Sequence, residues 1–147
     1  MRFSQAVRSG FANYANFGGR ASRSAYWWFA LFALVVGWAA RGLDSWLGLG
    51  GLATSTGTLG PISALVSLVL VLPTWAVFAR RMHDTGRSGW WWLLMLVPVV
   101  GWIVLIYFLA SAGTPGPNRY GPPPLDAPRA ARDPTMSAEA TSRAPVR

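Results

Sequence analysis

The sequence predicts an all-α integral membrane protein. Three transmembrane helices follow an interfacial N-terminal helix and precede a disordered C-terminal tail. Three observations carry this. The 147-residue chain is 52% hydrophobic and only 12% charged, with mean hydropathy +0.33, a balance foreign to ordinary soluble domains. Its apolar residues gather into three runs of roughly membrane-crossing length. Its 13 basic residues are all arginine, and they cluster at 2–23, at 80–87 and in the C-terminal part, with long apolar runs between.

That distribution decides what the net charge of +8 means. The arginines form no stripe on a soluble face, so nucleic acid is not expected as a partner. They suit a protein drawn to the anionic headgroups of a lipid bilayer. Cysteine is absent, which excludes disulfides and thiolate metal sites. Lysine is absent too, which excludes Schiff-base chemistry and the P-loop lysine.

Taken in order, residues 1–23 read as an interfacial amphipathic segment. Phe3, Val7, Phe11 and Tyr14 recur at helical spacing and would lie on the headgroups. The first span covers 24–47. Its uncharged part, Ala25–Ala40, reaches only about 24 Å of a roughly 30 Å core, so the helix must continue through Arg41 and Asp44. Those two are three residues apart on one face and are expected to pair near the far interface. "GLGGLATSTGTLGP" (48–61) reads as an uncharged extracytoplasmic loop. The second span covers 62–79, with Pro73 expected to kink it. A cytoplasmic loop, 80–89, leads to the third span at 90–110, where Pro98 and Gly101 mark a kink. Tyr26–Trp28 and Trp90–Trp92 are interfacial anchors. Residues 111–124 hold a run of turns, "GTPGPNRYGPPP", with Asn118 suited to a left-handed position. The tail, 125–147, lacks apolar periodicity and is expected to be disordered.

An internal echo orients the molecule. "RSAYWW" (23–28) and "RSGWWW" (87–92) each open a span, with Ser24 and Ser88 where an N-cap belongs. Helices that begin alike begin at the same interface, and the arginines place that interface, with the N-terminus, in the cytoplasm. Three spans then put everything after Ala110 outside, against its five arginines. A cytoplasmic tail would require that 90–110 fails to span fully, or that 48–61 hides another membrane element.

Three landmarks coincide with a known pattern. "FGGRASRSAYWWF" (17–29), "RRMHDTGRSGWWW" (80–92) and "GTPGPNRYGPPP" (113–124) closely resemble the signatures of the YhaH/YhaI-like family of small bacterial inner-membrane proteins, a domain of unknown function. The resemblance covers about residues 10–124. It implies a multi-pass protein of the bacterial inner (plasma) membrane and brings no established activity. One departure is Ala25, where the family often carries an acidic residue.

The candidate chemistry lies in 80–92. A Ser–His–Asp hydrolase is not expected: His83 and Asp84 are adjacent, so their side chains diverge, and no Gly-x-Ser-x-Gly elbow occurs. One histidine and five scattered carboxylates, at 44, 84, 126, 133 and 139, make no spaced metal-ligand set. No catalytic residue, metal or cofactor is therefore assigned. The favoured functional reading is a non-enzymatic component that binds anionic lipid headgroups, or a partner, through Arg80–Gly89. Backbone N–H groups near Ser88 and Gly89 would meet an anion at a positive helix start. Arg80, Arg81 and Arg87 would surround it, with Arg20 and Arg23 reaching in from the first helix. Asp84 would orient an arginine, and His83 would hydrogen-bond across the loop. The plainer alternative is that these arginines only fix topology. A subunit of an oligomeric transporter or channel is the runner-up, although the spans hold no ionisable residue except Arg41 and Asp44 at one edge. Ala33/Gly37 and Ser63/Ser67 offer faces for a homo-oligomer or a membrane partner. An enzyme acting on a lipid-linked phosphate comes third.

Overall fold

The computed structural model describes residues 1–49, 52–54 and 57–127. It is helical apart from one short hairpin. A helix α1 (Phe3–Ala12) precedes two long helices, α2 (Arg23–Trp46) and α3 (Pro61–Asp84). The loop between these carries β1 (Leu52–Thr54) and β2 (Gly57–Leu59), paired antiparallel with Leu52 opposite Leu59. A 3-10 helix, η1 (Gly89–Leu96), and an α-helix, α4 (Val100–Ala110), complete the chain of elements.

α2 and α3 are each 24 residues, with mean hydropathy 1.3 and 2.2 over their most apolar windows, and each is long and apolar enough to cross a membrane. At 1.5 Å per residue each reaches about 36 Å. They run antiparallel and are tied at both ends. At one end the Asp44 carboxylate of α2 accepts from Ile62 N (3.0 Å) and Ser63 N (2.8 Å), capping the start of α3. Gly60 is needed there, because a Cβ would fall inside the Asp44 carboxyl group. At the other end Ala21 N donates to Arg80 O at 2.9 Å. The expected Arg41–Asp44 pair does not form among the described residues. Asp44 instead satisfies two N–H groups that the first turn of α3 leaves without helical partners.

α1 docks across the first turns of α2. Phe3 meets Trp28 edge-on at 5.8 Å and Phe11 meets Phe29 at 5.9 Å. Gly10 makes room, since a Cβ there would strike the Phe29 ring. Tyr14, beyond the helix end, donates to Val69 O at 2.6 Å. Ala6 and Gly10 are the buried residues of α1, while Phe3 and Phe11 touch the α2 rings and stay exposed on the outside. α2 is capped by Ser22, which accepts from Ala25 N, and not by Ser24.

The third expected span is not one helix. η1 and α4 are each about 16 Å long, too short for the roughly 30 Å of a hydrocarbon core. They fold against each other as a helical hairpin. Trp91 meets Phe108 edge-on at 5.5 Å, and Trp102 Nε1 donates to Met95 O at 3.1 Å. The break lies at Pro98–Val99, where Val99 takes φ 65, ψ −68. Phe78 and Met82 of α3 pack with Leu105 and Leu109 of α4 in a small core. Because the hairpin returns, the chain after Ala110 reaches the end of the bundle that holds the start of α2 and the end of α3. Thr114 N donates to Asp84 O at 2.8 Å. Of the two ways to keep the tail beside the N-terminus, the described residues fit the first, since 90–110 forms no single helix of crossing length.

Two boundaries also move. Residues 80–84, expected in a loop, complete α3, which runs on through Pro73. The expected disordered tail lies outside the described residues from 128 onward, but Asp126 is bound to Ser22 and Ser24.

Candidate functional site

The three sequence landmarks meet at one end of the bundle. The last turn of α3 supplies Arg81, His83 and Asp84. It closes with a Schellman motif, in which Gly86 N donates to His83 O (3.0 Å) and Arg87 N to Met82 O (3.0 Å). Gly86 sits at φ 73, a left-handed position that glycine takes without steric cost.

Asp84 is the hub of this end. One carboxylate oxygen accepts from Arg20 Nε at 2.9 Å and faces Arg20 Nη2 at 2.8 Å. The other accepts from Arg81 Nη1 at 2.5 Å. All three side chains are buried, so two cations share one anion away from water. Backbone carbonyls take up the excess positive charge. Arg81 donates to Leu109 O (2.9 Å) and to Ser111 O, carbonyls at the C-terminal end of α4. Arg20 donates to Thr114 O (2.6 Å) and Gly116 O (2.7 Å). A helix C-terminus favours a cation, and charge-assisted hydrogen bonds of this kind are the stronger ones. Gly113 is required beside them, because a Cβ would enter the Asp84 carboxylate.

The loop after α4 fastens the cluster from outside. Thr114 Oγ1 donates to Asp84 O at 3.1 Å, and Asn118 Nδ2 donates to His83 O at 2.9 Å. The left-handed positions in this loop are Gly116 (φ 70) and Gly121 (φ 122), not Asn118. His83 lies flat on Tyr120, ring centroids 3.8 Å apart and planes 4° from parallel, with Nδ1 3.2 Å from Gly19 O. The result is a clasp that joins 17–29, 80–92 and 113–124.

The expected anion-site residues therefore divide. Arg20, Arg81 and Asp84 are the clasp. Arg80 is buried, with Nε on Ala76 O at 3.3 Å. Arg87 lays its guanidinium over the Phe108 ring at 3.9 Å from the centroid. Ser88 caps η1 by accepting from Trp90 N, as expected. Arg23 is exposed, and so is Arg119, which the sequence reading did not single out. Gly19, Thr114, Asn118 and Tyr120 also join the site, each from within one of the three sequence landmarks but unmarked there as a site residue.

Beside the clasp a cavity of about 370 Å³ opens between Arg23, Ser22, Ser24 and Asp126. Asp126 accepts from Ser22 Oγ (2.6 Å) and Ser24 Oγ (2.9 Å), and the terminal ammonium lies 3.2 Å away. Burial disfavours its charge, but the two hydroxyls and the ammonium outweigh burial and hold the carboxyl below the ordinary carboxylate range. Among the described residues no group of histidines and carboxylates is placed to hold a metal ion.

The family described as "Protein of unknown function (DUF805)" matches residues 14–122, a stretch that contains all three parts of the clasp. The chain belongs to this family. Inner membrane protein YhaH of Escherichia coli (strain K12) is 44% identical over 112 residues, covering 76% of this chain and 89% of the relative. Inner membrane protein YhaI of the same strain is 44% identical over 112 residues, covering 76% and 88%. No solved structure is a significant match. The inner-membrane location of these relatives agrees with the two long apolar helices of this DUF805 member.

Proposed function

We propose that the protein is a non-enzymatic, multi-pass component of the bacterial inner membrane whose clasped end faces the cytoplasm and engages anionic phospholipid headgroups. The observation that carries this reading is the division of charge at that end. Arg20, Arg81 and Asp84 are buried and answer one another, whereas Arg23 and Arg119 are exposed and Arg87 lies half-buried between them. Internal pairing accounts for the first set and not for the second. The return of the chain at Thr114 supports the orientation, because it brings Arg119 to the side that holds Arg2, Arg8 and Arg23. All then obey one charge rule.

Each arginine near an anionic surface contributes about 1 kcal/mol, so Arg23, Arg87 and Arg119 together are worth on the order of a hundredfold in lipid affinity. The test is native mass spectrometry of purified protein carrying phosphatidylglycerol or phosphatidylcholine. Arg23→Ala, Arg87→Ala and Arg119→Ala combined should bind fewer copies of the anionic lipid and keep retention of the zwitterionic one unchanged. Unchanged anionic retention in the triple variant would refute the reading.

A further inference from the structure

A second cavity, about 430 Å³, lies away from the clasp's carboxylate, between α3 and η1. That volume is within the roughly 300–1,000 Å³ of small-molecule sites. On α3 its wall is the stripe Leu72, Trp75, Ala79, His83, residues three or four apart and so on one face. The stripe extends about 16 Å along the helix. Trp90 and Trp92 of η1 form the opposite wall, with Trp92 meeting Trp75 edge-on at 5.4 Å. The groove is apolar along its length and polar at one end, where His83 and Ser88 close it.

His83 is held in one orientation there. A carbonyl oxygen only accepts, so the contact from Nδ1 to Gly19 O (3.2 Å) fixes the proton on Nδ1. In the neutral ring Nε2 then carries the lone pair. Stacking on Tyr120 fixes the ring plane, and Nε2 faces η1, 4.0 Å from where a Cβ on Gly89 would stand. An apolar groove that ends in an oriented acceptor matches an amphiphile whose polar end donates a hydrogen bond. A hydroxyl suits this end better than an ammonium, because Arg119 lies over the same Tyr120 ring at 4.7 Å.

We infer that this groove binds one membrane phospholipid with a hydroxylated headgroup. Its acyl chain lies along Leu72, Trp75 and Ala79 against the paired Trp75 and Trp92 rings and Trp90, and its hydroxyl donates to His83 Nε2. The inference stands apart from the headgroup-charge reading, since it needs none of the exposed arginines.

The experiment uses full-length protein in phosphatidylcholine vesicles containing a phosphatidylglycerol probe with a mid-chain diazirine. Photolabelling should concentrate on Trp75, Trp90 and Trp92. Unlabelled phosphatidylglycerol should compete about tenfold better than phosphatidylmethanol, which has the same charge and no hydroxyl; one hydrogen bond accounts for that ratio. Leu72→Trp, which fills the groove from its exposed rim, should abolish the labelling. His83→Phe, which keeps the stacked ring, should make the two competitors equal. Labelling spread over the outer face of α2 at Leu34, Val35 and Trp38 would overturn the inference, and so would equal competition in the unaltered protein. Groove labelling that survives the triple arginine substitution would separate this site from the surface one.

Discussion

Asp84→Ala tests the clasp most directly. The side chains of Arg20, Arg81 and Asp84 are 1%, 0% and 6% exposed, so water screens neither ion pair well. At an effective dielectric of about 20, unit charges ~4 Å apart attract by about 4 kcal/mol. The substitution removes two such attractions together with the desolvation penalty of the carboxylate, and it leaves two buried guanidiniums. Breaking a buried pair in this way costs about 3–5 kcal/mol, which for a chain of this size lowers Tm on the order of 10–20 °C. Tryptophan fluorescence during heating in a mild detergent reads it, with Arg23→Ala as an exposed control expected to shift by under about 1 kcal/mol. Adding Arg81→Met to Asp84→Ala should recover part of the loss, a coupling of about 2 kcal/mol. If Asp84→Ala shifts Tm no more than Arg23→Ala, or if the double variant loses the sum of the singles, Asp84 does not compensate buried charge.

Asp44→Ala should destabilise by about 1–2 kcal/mol, the worth of a lost N-terminal cap, seen as a lower Tm in the same assay. Val99→Gly should raise Tm, because releasing a β-branched residue from φ 65 relieves about 1–2 kcal/mol of strain. Asp126 gives a pH dependence of defined sign. Its folded pKa is lowered, so its contribution is full above the ordinary carboxylate value of about 4 and is lost as pH falls through the lowered value. Asp126→Asn should therefore narrow the gap between Tm at neutral pH and at about pH 3. Reporter fusions after Met1 and after Ala127 should report the same side of the membrane; opposite sides would refute the return of the chain at Thr114.

The long helices were legible because apolar composition and length suffice to place them: α2 was expected at 24–47 and is found at 23–46. The end of α3 was misplaced because Arg80 and Arg81 read as loop charges, although Gly86 marks a helix end two residues beyond Asp84. The clasp was visible as three motifs and invisible as one site. Arg20 and Asp84 lie 64 residues apart, and Arg20 and Gly116 lie 96 apart; no local period encodes such a meeting. The Asp44 cap was hidden for a related reason. A carboxylate three residues from an arginine suggests a local pair, and nothing in the sequence shows that a helix start is brought to it.

The reversal at Pro98 and the clasp depend on each other. A kink and a reversal differ in what happens to backbone polar groups, which apolar surroundings do not solvate. Here Pro98 has no N–H to lose, and Val100 N donates to Pro98 O at 2.8 Å across Val99, a γ-turn with a left-handed central residue. Val97 N and Gly101 N donate to Leu94 O and Val97 O, both at 3.0 Å. Gly101 permits the close return, since a Cβ there would strike the Leu94 carbonyl. Had 90–110 continued as one helix, its twenty-one residues would have carried Ser111 and Thr114 about 30 Å from Asp84. Arg81 would then lack Leu109 O and Ser111 O, and Arg20 would lack Thr114 O and Gly116 O. Two buried cations would be left with one carboxylate. Strain at a single β-branched residue costs far less than that, which is the physical reason the third apolar segment turns back.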